Sequence, residues 1–85
     1  PDKPAPANDY KLQKENQKEQ RRMARRLEQL EAQIEDLDSQ ISQLQEAMEA
    51  TNDAAELMES QQQIDQLTAA QDEAMLEWEE LAEKV

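Results

Sequence analysis

The sequence contains no cysteine, no histidine and no glycine. Lack of cysteine excludes disulfides and thiolate metal sites. With histidine also missing, the usual general bases, nucleophiles and zinc ligands are gone. Lack of glycine removes phosphate-cradling loops of the P-loop kind and the easy tight turns of β-hairpins. Aromatic residues are limited to Tyr10 and Trp78, too few for a broad globular core. No apolar run approaches the ~18 residues of a membrane-spanning helix, and no stretch has the pattern of a signal peptide. The abundant carboxylates lack the alternating oxygen ligands and glycine of a calcium loop. These absences predict a chain that is not an enzyme and holds no cofactor, catalytic residue or metal of its own.

What remains favours long helices. The 85 residues are rich in Ala, Glu, Gln, Leu and Lys/Arg, and the three prolines all lie within the first six positions. Residues 1–8 read as a flexible linker, with Asn8 or Asp9 as the N-cap of a first helix over about 9–50. The start at proline rather than methionine suggests a piece of a longer protein.

The organising stretch runs from Met23 to Met48. Its apolar residues are Met23, Leu27, Leu30, Ile34, Leu37, Ile41, Leu44 and Met48, separated alternately by four and three. That is an unbroken heptad seam, with Leu27, Ile34, Ile41 and Met48 at a and the others at d. Continuing the frame past residue 50 would bury Asp65, Asp72 and Glu79. A second frame serves better: Leu57, Ser60, Ile64, Leu67, Gln71, Ala74, Trp78, Leu81 and Val85. Between the frames lies Thr51-Asn52-Asp53, the one cluster of turn formers inside the helical region. Asn52 can take the left-handed conformation usually given to glycine. Asp53 can cap a second helix over about 54–84, and Glu56 would complete a capping box.

Folding back at this turn opposes seam residues whose numbers sum to about 105. Met48 then meets Leu57, Ile41 meets Ile64, Leu37 meets Leu67, Ile34 meets Gln71, Leu27 meets Trp78 and Met23 meets Leu81. The expected fold is all-α, a two-helix antiparallel coiled-coil hairpin, self-contained as a monomer. A domain-swapped dimer satisfies the same register. Trp78 is read as core packing rather than a base-stacking platform, with Arg25 or Arg26 placed to cover its exposed face. Gln71 interrupts the seam and can help fix register.

Charge is unevenly spread. Residues 1–26 carry eight Lys/Arg against four Asp/Glu, whereas residues 27–85 carry Lys84 alone against seventeen acids. Most of the chain should therefore repel nucleic acid and anionic membranes. At 100° per residue, Lys11, Lys14, Lys18, Arg21, Arg22, Arg25 and Arg26 fall within an arc of about 140°. This arc faces away from the seam. It reads either as a solvated face held by local ion pairs such as Glu15 with Lys11 or Lys18 and Glu19 with Arg22, or as a stripe that binds phosphates.

Lys18-Glu19-Gln20-Arg21 precedes Arg25-Arg26-Leu27-Glu28-Gln29-Leu30-Glu31, and Leu76-Glu77-Trp78-Glu79-Glu80-Leu81 comes near the end. Over residues 10–83 this order resembles the C-terminal domain of ABC-F ATPases, the soluble ABC proteins that include the Uup branch. The resemblance implies an accessory coiled-coil module of a cytoplasmic protein with two nucleotide-binding domains, in which ATP and magnesium would serve the parent and not this fragment. It also implies contact with DNA, ribosomal RNA or the ribosome; a membrane is not an expected partner, given the acidic charge and the lack of a long apolar run. Lys18 and Arg21 match the family motif; the other basic residues are added because they share the face. The alternative function is a structural or protein-interaction coiled coil: a spacer, an intramolecular regulator or a dimerisation element.

Overall fold

A computed structural model describes residues 6–85, with side chains from Tyr10 onward. Two helices, α1 (Pro6–Glu49) and α2 (Ala54–Lys84), pack against each other and make up nearly all of it. The expected linker over residues 1–5 lies outside the described residues. Residues 6–8, also read as linker, are helical instead. Proline is tolerated in a helix's first turn, where its missing N–H would have had no partner. Asn8 and Asp9 consequently fall inside α1 and do not cap it.

Burial follows the two seams closely. Among α1 side chains from Tyr10 onward, those withdrawn from solvent are Met23, Leu27, Leu30, Ile34, Leu37, Ile41, Leu44 and Met48, and every other one is exposed. In α2 the covered set contains the expected seam from Leu57 to Leu81, joined by Ala70, Glu77 and Ala82. Val85, the last expected seam position, is 53% exposed, because it follows the final helical turn. The deepest positions are Leu30, Leu37 and Ile41 of α1 with Ile64 and Ala74 of α2. Cross-helix bonds fix the antiparallel register: Gln71 Nε2 donates to the Ile34 carbonyl at 3.2 Å. A part-buried polar side chain thereby gains a partner, and a slip of one helix along the other would break the bond.

The turn uses side chains where a left-handed residue was expected. No described non-glycine residue has positive φ, so Asn52 does not adopt that conformation. Instead, α1 ends with the Ala50 amide donating to both Glu46 O and Ala47 O. Asp53, with extended backbone, caps α2 by accepting from the Ala55 amide at 2.9 Å. Such a cap contributes about 1 kcal/mol. The capping box is modified: the Asp53 amide donates to Thr51 Oγ1 at 3.1 Å, and that hydroxyl donates to Glu56 Oε2 at 2.5 Å. Thr51 thus sits between the two residues that would otherwise bond directly.

The helices differ in length, 44 residues against 31. The excess of α1 lies at its N-terminal end, because the turn closes the other end. With Leu81 lying level with Met23 and Ala24, residues 6–19 extend beyond α2 by roughly 20 Å.

Candidate nucleic-acid interface

Every described side chain from Tyr10 to Arg22 is exposed. Among the described residues the projecting segment has no neighbour to bury against, and its extrapolated seam positions are polar: Gln13, Asn16 and Gln20. Its helical backbone continues that of α1, so the segment is held in place by the hairpin's core rather than by contacts of its own.

Lys11, Lys14, Lys18, Arg21 and Arg25 recur at alternating steps of three and four, forming one row along the helix. All five are exposed. Arg22 flanks the row and is exposed as well. The row faces away from the seam, so packing of α2 leaves it uncovered. Among the described residues none of these six is in an ion pair, and the expected pairs of Glu15 and Glu19 with neighbouring cations are not formed. These exposed pairs contribute too little to hold long side chains in one geometry.

Arg26 is placed differently. Its Nε donates to Glu77 Oε2 at 2.6 Å and its Nη2 to Glu77 Oε1 at 2.9 Å, a two-pronged link between α1 and α2. Nη1 also reaches Gln29 Oε1 at 3.4 Å. In the antiparallel register both partners occupy g positions, which face each other beside the seam. The other flanking positions are mostly Gln, Ala, Thr and Met, such as Gln33 near Ala70 and Gln40 near Gln63. The acidic residues of the hairpin lie largely on outer faces, where they do not oppose one another across the interface. Arg26 therefore serves the hairpin, while the other six cations of the stripe remain available.

The Arg26 hydrogen bond holds the Glu77 carboxyl below the usual carboxylate range, and Glu77 in turn raises the Arg26 guanidinium. A carboxylate with a depressed folded-state pKa stabilises the fold above its unfolded pKa, and that contribution is lost as pH falls through the folded value. Glu77→Gln is therefore expected to lower the thermal midpoint at about pH 7, with the difference from wild type closing by about pH 2. Circular dichroism melts at the two pH values check this; a difference of equal size at both would contradict it.

Trp78 is half-buried, and its indole N–H donates to Glu31 Oε1 at 3.3 Å. Neither Arg25 nor Arg26 covers its face, since Arg26 is drawn to Glu77 on the opposite flank. Among the described residues the one cation over an aromatic ring is Lys14, whose Nζ lies 5.9 Å from the Tyr10 centroid. Sequence reasoning singled out Trp78 and passed over Tyr10. The signal for Tyr10 was its position, four residues before Lys14 in a segment with no core to join.

No grouping of acidic side chains able to hold a metal is found among the described residues. No described helix is long and apolar enough to cross a membrane. No curated protein and no solved structure matches the chain. The family described as ABC transporter C-terminal domain matches residues 8–83, which take in both helices, the turn and the projecting basic segment, and the chain belongs to that family.

Proposed function

We propose that this accessory domain of an ABC protein contacts the phosphate backbone of nucleic acid, DNA or ribosomal RNA, through the projecting end of α1. The observation that carries the reading is the row of five exposed cations, unpaired among the described residues, on a face of α1 turned away from α2, with Lys11, Lys14 and Lys18 on the part that projects beyond it. Such a row neutralises phosphates without reading bases, so binding is weakly selective for sequence. The acidic remainder of the hairpin repels a polyanion and confines contact to one end. The parent that fits is a cytoplasmic ABC-F protein, with ATP and magnesium bound in its own nucleotide-binding domains and the ribosome or DNA as its site of action.

A dimerisation role has less support. Both seams are closed in cis, and the exposed Met58 and Leu76 on the outer face of α2 are separated there by Asp65 and Asp72. A second apolar stripe is therefore missing from that face.

Counterion release gives the test. If all five cations of the row meet phosphates, the logarithm of affinity falls with the logarithm of salt with slope about −3.5 for single strands and about −4.5 for duplex DNA. Fluorescence anisotropy titrations at several salt concentrations measure it. A slope near zero, or no binding at low salt, would overturn the reading.

A further inference from the structure

We propose that Tyr10 stacks on an unpaired base while the adjacent cations hold its flanking phosphates, so that the projecting segment prefers single-stranded nucleic acid to duplex. This inference rests on the phosphate-contact reading above and adds the class of strand recognised.

Three observations converge on it. Tyr10 is 64% exposed, on a segment with no core for it to join. Its ring lies beneath the ammonium of Lys14, a member of the cation row, which holds ring and charge together. Two shallow open grooves border the ring, and both are lined by Tyr10, Lys14 and Lys18. One continues to Arg21; the other includes Lys11 and, at its far side, Glu15.

The placement around the helix is asymmetric. Tyr10 sits about 20° outside the basic arc on the side of Arg21, whereas Glu19 lies about 20° outside the opposite edge and Glu15 just inside it. A strand following the cations is repelled from the glutamate edge and displaced toward the tyrosine. Every base has a π-face, so stacking tolerates any sequence, but a base within a duplex already stacks on its neighbours and cannot use the ring. The phosphate row alone would accept either form. Tyr10 supplies the difference between them.

The probes are labelled single-stranded DNA, single-stranded RNA and duplex DNA of equal length, titrated at fixed salt against wild type, Tyr10→Ala and Tyr10→Phe. Tyr10→Ala is expected to weaken single-strand binding about 5- to 150-fold, the usual worth of one stacked base. Duplex binding should stay unchanged, and Tyr10→Phe should retain wild-type affinity. Loss with one single strand only would identify DNA or RNA as the source of the base, and loss with both would indicate an unpaired base of either kind. Equal losses on single strand and duplex would overturn the proposal. So would an inert Tyr10→Ala in a protein whose binding is still salt-dependent, and that result would leave the phosphate row standing. Absence of binding by wild type to all three probes would overturn both readings.

Discussion

Replacing Lys18, Arg21, Arg22 and Arg25 together by glutamate is expected to lower nucleic-acid affinity by at least about 10³-fold near 0.1 M salt. Each phosphate contact contributes a salt slope of about 0.7–0.9, which at this concentration amounts to a little under tenfold in affinity. Removal of four such contacts multiplies accordingly, and the introduced glutamates add repulsion. The fold should be unaffected, since all four side chains are exposed and none bonds to α2. Helicity and thermal midpoint read by circular dichroism provide the control, and anisotropy titration provides the affinity. Arg26 is omitted deliberately. Its pairing with Glu77 means that its loss would disturb the hairpin as well as any ligand contact. Unchanged binding by a normally folded variant would remove the stripe from consideration.

Leu30→Ala is expected to be the most damaging single truncation of the fold. Leu30 is 1% exposed, the most deeply buried large side chain among the described residues. It faces the part of α2 where Ala74 is small and where Trp78 and Gln71, one turn to either side, are each committed to a hydrogen bond with α1. Those neighbours cannot readily collapse into the space left behind, so the cost falls within the usual range of about 2–5 kcal/mol. A core this narrow supplies roughly 3–5 kcal/mol in total. The substitution should therefore lower the thermal midpoint by about 10–30 °C or leave much of the chain unfolded at room temperature. Leu12→Ala makes the comparison, because Leu12 is 58% exposed on the projecting segment. Its effect should stay within about 0.5 kcal/mol. Equal effects from the two substitutions would contradict the division between seam and projection.

The seam was legible in the sequence because heptad periodicity is a long-range pattern with no competing signal. Eight positions from Met23 to Met48 were expected to face inward, and these are the ones that do among the described α1 side chains. The frame shift and the polar triplet at residues 51–53 placed the turn and the Asp53 cap for similar reasons. The turn's internal bonding was not legible. Thr51 bridges Glu56 and the Asp53 amide through the relative placement of three residues, which spacing alone does not fix. The start of α1 was missed because proline was weighed as a helix breaker, although in a first turn it breaks nothing.

The candidate site was legible as a face but not as a set of free charges. Periodicity placed seven cations together. Only the register between helices assigns Arg26 to Glu77, and that assignment could have been read from the two opposed g positions once the hairpin was accepted. Trp78 attracted attention as the one aromatic residue on the seam, yet its N–H is occupied by Glu31. Tyr10 was overlooked because it lies outside the seam, and that location is what leaves its ring exposed beside Lys14.

Mapping of backbone amide chemical shifts during titration with a short single-stranded oligonucleotide tests the division of labour most directly. Changes are expected along residues 10–25, largest near Tyr10, Lys14, Lys18 and Arg21, with the hairpin from Leu30 through the turn to Ala74 unperturbed. Perturbations centred on the turn or spread along the acidic faces, or none at saturating oligonucleotide, would contradict it.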